Sequence, residues 1–321
     1  MTPLERAALL RAQQRLSRFQ PDMASRLLKA WAIIRESLTE AEITRLMKSG
    51  AVDLLLQDVL KEPDLDRAFL SFRQKIRETV AGSYQLSIRD TPKAGKIDGV
   101  PAIAFDHLSP KVIDAIRTLE SEALDTLKAD VKEVTRAFIE NGLRDGKAPK
   151  AIARQLRSVI GLAPNQELAV RNFEKMLRSS DKTALTRALR DKRFDRTITK
   201  AFAGVGLTES QIEKMTGAYK RKMIAANANL NATTHTRAAY KLGQILSWQD
   251  AAAKGVVPPG YEAVKTWIHF DPQPDPRPEH KAMHGETVRA DQNYSNGDSY
   301  AGEGDPWNCK CLDRFSIRRV T

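Results

Sequence analysis

The sequence predicts a mainly α protein, with elongated multi-helix N-terminal and central regions followed by a small α+β module at the C-terminus. Three observations carry this expectation. Apolar residues recur at intervals of three and four through most of the chain, as in Leu27, Leu28, Trp31, Ile34 and again in Phe69, Phe72, Ile76, Val80, which is the period of a helix with one buried face. Prolines and Ser/Thr caps stand where these periodic stretches begin. After Gly260 the composition changes to β-branched and aromatic residues separated by Gly, Asn and Asp, the pattern of short strands and loops.

Residues 1–82 form the first helical region. Thr39 with Glu42 has capping-box spacing ahead of Ile43, Leu46 and Met47, Gly50 ends that segment, and Pro63 with Asp64 opens the next. Residues 83–107, interrupted by Pro92, Gly95, Gly99 and Pro101, read as an irregular linker in which Tyr84–Ile88 and Val100–Phe105 form short extended pieces. Residues 108–260 form a central long-helix region. Ser109 and Pro110 start a helix that runs to about Gly142, with near-heptad apolar spacing from Ile113 to Phe138. Further helices are expected at Pro149–Ile160, at Pro164–Arg178 and around Leu185–Ala203. Thr208 with Gln211 caps a last one that runs as far as Leu246, and its alanines permit close packing. In residues 261–321, Val264–Phe270, Thr287–Ala290 and Phe315–Val320 are strand candidates. Pro278–His284 is one or two helical turns stopped by Gly285.

Charge divides the chain at the same place. Of 52 basic and 40 acidic residues, residues 261–321 hold eight and ten, leaving a net +14 upstream. An excess of this size favours polyanions such as double-stranded DNA, bound without sequence preference, although a well-solvated helical surface produces the same composition. No stretch is apolar and long enough for a membrane span, and the N-terminal segment is too charged for a signal peptide. Two cysteines one residue apart do not make a disulfide framework.

Chemistry-bearing residues gather near the C-terminus: His269, His280, His284 and Cys309-Lys-Cys311. His280 and His284 at i and i+4 would share a helix face, and the two thiols could complete a tetrahedron. His280, His284, Cys309 and Cys311 are therefore the residues that could ligate a metal, zinc by donor type, although no cofactor is expected. The competing reading is a cluster that pins a long loop to the sheet by packing, with no cofactor. Asp271, Asp275, Arg277 and His280 invite an acid–base reading, but no nucleophile motif, phosphate loop or HExxH accompanies them, so no catalytic residue is assigned and no enzyme is expected. Trp267 and Trp307 are read as core, and His107 and His235 as isolated histidines.

The block TWIHFDPQPDPRPEHKAMHG, the Gly/Asn-rich loop after it and the closing NCKC resemble the pattern of the phage Mu F-like head-morphogenesis family. Its marks are a Trp-bearing strand, an Arg-x-x-His turn, a following Gly and an Asn-Cys-x-Cys. The matching positions are Trp267, Asp275, Arg277, His280, Gly285, Asn308, Cys309 and Cys311. Upstream, LRDKRFDRTI, LTESQIEKMTGAYKRKMIAANAN and AAYKLGQILSW resemble the helical portion that precedes the block in members, so the likeness spans roughly residues 162–316.

The resemblance implies a minor capsid protein of the virion, inside the phage head and in the host cytoplasm before assembly. Its implied partners are the portal protein and the major capsid or scaffolding protein, with a role in procapsid assembly, DNA packaging or delivery. The alternative is a metal-dependent enzyme or delivered effector centred on Asp275, Arg277, His280 and His284.

Overall fold

The computed structural model describes residues 3–48, 52–88, 96–97, 100–101, 106, 108–257, 259–269, 277–307 and 309–320. The protein is mainly α, with a small three-stranded antiparallel sheet at the C-terminus. Among the described residues the helices are α1 (Pro3–Ser37), α2 (Glu40–Lys48), α3 (Val52–Val59), α4 (Glu62–Ala68), α5 (Leu70–Ile88), α6 (Pro110–Arg144), α7 (Pro149–Leu156), α8 (Pro164–Arg178), α9 (Asp195–Phe202), α10 (Glu209–Ala253) and α11 (Pro278–Ala282). Five of them begin at proline, whose fixed φ suits the first turn and whose missing N–H would have no helical partner there.

The strands are β1 (Lys96–Ile97) paired with β2 (Val100–Pro101), and β3 (Tyr261–Ile268), β4 (Thr287–Arg289) and β5 (Leu312–Arg319) in the order β4-β3-β5. His107 and, within the Val100–Phe105 stretch, residues 102–105 lie outside the described residues.

Local chemistry accounts for most helix boundaries. Thr39 Oγ1 accepts the Glu42 amide at 3.3 Å to start α2. At α10 the capping box is complete: Thr208 Oγ1 accepts from the Gln211 amide at 3.4 Å, and Gln211 Oε1 accepts from the Thr208 amide at 2.9 Å. Helix α10 then runs seven residues beyond the expected Leu246, to Ala253.

Three expectations fail. Tyr84–Ile88 is the last turn of α5, not an extended piece. Gly82 does not break the helix, because its bare Cα lies against the Phe19 ring, where a Cβ would come within 3.1 Å. Ser83 donates to the Tyr240 carbonyl at 2.5 Å and Tyr84 to Asp250 Oδ2 at 2.6 Å, so the short polar residues are used in helix packing. The stretch around Leu185–Ala203 is also not one helix. Asp181 and Asp191 each accept a backbone amide two residues on, Thr183 at 2.8 Å and Arg193 at 3.2 Å, which starts separate 3-10 turns at Lys182–Thr186 and Lys192–Phe194 before α9. The segment Pro149–Ile160 likewise ends its α-helix at Leu156 and closes with a 3-10 turn over Arg157–Val159.

The chain divides into two compact units, one made of residues 1–24, 72–123 and 230–321 and the other of residues 25–71 and 124–229. In the second, Leu27, Trp31, Ile34, Phe69, Val134 and Phe173 are buried. Loop carbonyls there are held by cations: Arg35 donates to Ile160 O at 2.8 Å and Arg157 to Leu38 O at 2.6 Å. In the first, Phe72, Ile76, Val80 and Tyr84 of α5 and Tyr240 and Trp248 of α10 are buried, and this unit carries the sheet. Glu120 of α6, almost wholly buried, accepts from Arg73 at 3.2 Å and from Arg77 at 2.5 Å. Tyr84→Phe deletes the bond to Asp250 while keeping the ring. We expect a loss of about 1.5 to 3 kcal/mol, the range for a hydrogen bond to a charged acceptor, seen as a lower urea midpoint.

Candidate metal centre

Strand register builds this site. In the β3–β5 ladder Ile268 faces Leu312, so the next residues outward, His269 on one strand and Cys311 on the other, are neighbours at the sheet end. Their side chains meet: Cys311 Sγ lies 3.5 Å from His269 Nδ1. Cys309 follows a tight turn in which its amide donates to Pro306 O at 3.1 Å, and its Sγ lies 3.4 Å from His280 Nδ1. Cys311 Sγ is 3.8 Å from the same nitrogen. His280 comes from α11, whose ring stands edge-on to Trp267 with centroids 5.4 Å apart. The ligand atoms of His280, Cys309 and Cys311 all lie within 4.8 Å of one another, and all three residues are buried.

His284 is not part of this group. Helix α11 ends at Ala282, and Gly285 takes a positive φ of 90°, so the residue four on from His280 has left helical phase. Its Nδ1 instead accepts the His269 backbone amide at 3.2 Å, which fixes the end of β3. The second histidine that touches a thiol is His269, at Cys311.

The other motif residues support the cluster. Trp267 is fully buried with Tyr294, Ala301 and both cysteines. Arg277 precedes α11 and donates to Asp305 at 2.5 Å and to Trp307 O at 2.6 Å, tying the helix start to the loop that leads to Cys309. Gly285 donates to Trp267 O at 2.9 Å. Asp271, Asp275 and Asn308 lie outside the described residues.

Four residues that the sequence reading did not single out shape the site. Gly302, at φ +77°, presses against Cys309 Sγ, and a Cβ there would also lie 3.4 Å from His280 Cε1. From α10, Arg237 donates to Cys309 O at 2.5 Å and Lys241 to Ala301 O. Asp313 accepts from Tyr294 Oη at 2.8 Å and from the Ala301 amide at 3.0 Å, fastening the loop from inside. Spacing gave no sign of these, since each depends on a contact between distant segments.

The electrostatics favour a thiolate. Cys309 is held below the ordinary thiol range by the hydrogen bond from the Cys311 thiol and by the nearby Lys241 cation, against the opposing effect of burial. Cys311, as donor in that pair and as a buried thiol, is pushed up. A second group of possible ligands, Glu279, His280 and Asp305, shares the histidine, but Glu279 is exposed and Asp305 is engaged by Arg277.

No family model, curated protein or solved structure matches the chain.

Proposed function

We propose that the chain is a minor structural protein of a tailed-phage head, acting in head morphogenesis. The observation that carries this reading is that Trp267, Arg277, His280, Gly285, Cys309 and Cys311, the described residues of the Mu F-like block, lie together in one arrangement that fastens loop to sheet. Their reactive groups face inward: His280 is 5% exposed, Cys309 2% and Cys311 1%. A general acid, base or nucleophile has to reach a substrate atom, and burial of this degree supports a fold-holding role over turnover.

Under this reading the partners are the portal protein and the major capsid or scaffolding protein, and the upstream net +14 meets packaged duplex DNA through phosphate contacts. Mass spectrometry of purified heads should find the chain at low copy, and deletion of its gene should yield defective or non-infectious particles. Normal infectious heads lacking the protein would defeat the proposal. An active effector would instead show a measurable reaction abolished by His280→Ala with assembly intact.

A further inference from the structure

We propose that His280, Cys309 and Cys311 hold one thiophilic divalent ion, zinc by class, and that His269, beside Cys311, closes in as the fourth ligand when the ion binds. The inference goes beyond the head-protein reading and does not depend on it.

The argument begins with distances. Zinc bonds of about 2.3 Å to sulfur and about 2.0 Å to nitrogen, set at a tetrahedral angle, place neighbouring S and N ligand atoms about 3.5 Å apart. Three of the four sulfur–nitrogen pairs are close: Cys309–His280 at 3.4 Å, Cys311–His269 at 3.5 Å and Cys311–His280 at 3.8 Å. One edge near that value is an ordinary thiol–imidazole contact. Three such edges that share His280 Nδ1 and Cys311 Sγ are different, because a single imidazole nitrogen cannot serve both sulfurs as a full hydrogen-bond partner. Three ligand atoms within 4.8 Å of one another, with a fourth 3.5 Å from one of them, are better served by a cation than by a shared proton.

Charge and chemistry agree with this. Two thiolates cancel a divalent ion, so the filled site is neutral, which suits residues this buried. Arg237 and Lys241 donate to the Cys309 and Ala301 carbonyls, which holds two cations beside the thiols and favours their deprotonation. Two sulfurs and two imidazoles form a donor set that selects zinc over magnesium or calcium, which take oxygen ligands. Binding displaces the remaining thiol protons to solvent and involves no redox step.

The ligands come from the end of β3, from α11 and from the segment entering β5. One ion therefore joins three separate segments in a module whose own apolar core is small. His284 then acts as a positioning residue: its bond to the His269 amide orients the end of the strand that carries a ligand.

The test uses the full chain purified under reductant, with both thiols titrating as free. Elemental analysis should find about one zinc per chain. Replacement by cobalt(II) should give the sulfur-to-cobalt charge-transfer and d–d bands of a tetrahedral ion. Removal of the metal by a strong chelator should lower the melting temperature by about 5 °C or more, reversed by added zinc, as expected when an ion binds only the folded state. In competition with a chromophoric chelator, His269→Gln should weaken zinc at least tenfold, while His284→Gln keeps one equivalent. A reduced wild-type chain that takes up neither zinc nor cobalt would overturn the site without reference to any variant. Full zinc affinity in His269→Gln together with its loss in His284→Gln would overturn the ligand assignment. Neither result bears on whether the chain is found in phage heads.

Discussion

Gly243→Ala is expected to destabilise the protein by about 2 to 4 kcal/mol, and Gly243→Val by more. Elsewhere in a helix the same exchange of glycine for alanine adds stability, by about 1 kcal/mol, because alanine has less backbone freedom to lose on folding. Gly243 lies where α10 passes α5. A Cβ built on it meets the Val80 carbonyl oxygen, lies 2.8 Å from Ser83 Cβ and stands 2.9 Å from the Tyr84 amide. Two of these neighbours are backbone atoms of a helix and cannot swing aside, so the helices must separate. Separation strains the bonds that follow the crossing, Ser83 to Tyr240 O and Tyr84 to Asp250, which adds to the usual cost of overpacking.

Gly217, in the same helix, is the control. The nearest atom to its built Cβ is the mobile Arg221 guanidinium at 3.5 Å, so Gly217→Ala should raise the urea midpoint where Gly243→Ala lowers it. Equal or greater stability in Gly243→Ala would show that the crossing is looser than its geometry states.

The same crossing shows where sequence reading reaches its limit. Capping chemistry is local, so Thr39, Ser109, Pro164 and Thr208 mark true helix starts, and the long periodic stretches of α1, α6 and α10 could be read without tertiary information. A glycine is ambiguous by itself. At Gly82 and Gly243 its value is the missing side chain, supplied by a neighbour far along the chain, and only that neighbour distinguishes close packing from a helix break. The stretch around Leu185–Ala203 is not one helix for a related reason, since two aspartates, Asp181 and Asp191, capture backbone amides at the 3-10 turns that precede α9.

The candidate site was legible in residue type, and of the four residues named for it the structure gathers His280, Cys309 and Cys311 and leaves His284 outside. Histidines and cysteines clustered near the C-terminus identify thiol–imidazole chemistry. Choosing between His269 and His284 required the β3–β5 register, because pairing of Ile268 with Leu312 brings His269 to Cys311 while the short α11 leaves His284 out of phase. Helical spacing assumed a longer helix than Gly285 permits.

His235 should make the fold acid-labile, in a way that a single substitution removes. It sits in α10 between the edges of Phe72, with centroids 5.6 Å apart, and Trp307, at 6.2 Å. Its Nε2 is buried with no hydrogen-bond partner among the described residues. Burial alone lowers its pKa, to about 4, against about 6.5 for a histidine in an unfolded chain. The folded state therefore binds this proton more weakly than the unfolded state does. The histidine leaves stability untouched above pH 6.5, and protonation of the unfolded chain drains stability as pH falls from there toward 4, by about 3 kcal/mol in all.

His235→Phe keeps a flat ring of similar size in the same apolar slot and cannot titrate. The quantity to measure is the change in unfolding free energy between pH 7 and pH 4.5 in wild type and variant, both stripped of metal so that proton competition at thiolates is absent from the comparison. Wild type should lose about 2 to 3 kcal/mol more than the variant over that interval. Parallel curves would mean that the buried imidazole finds a proton acceptor or water on acidification, and that its neighbours form a more polar pocket than two aromatic edges provide.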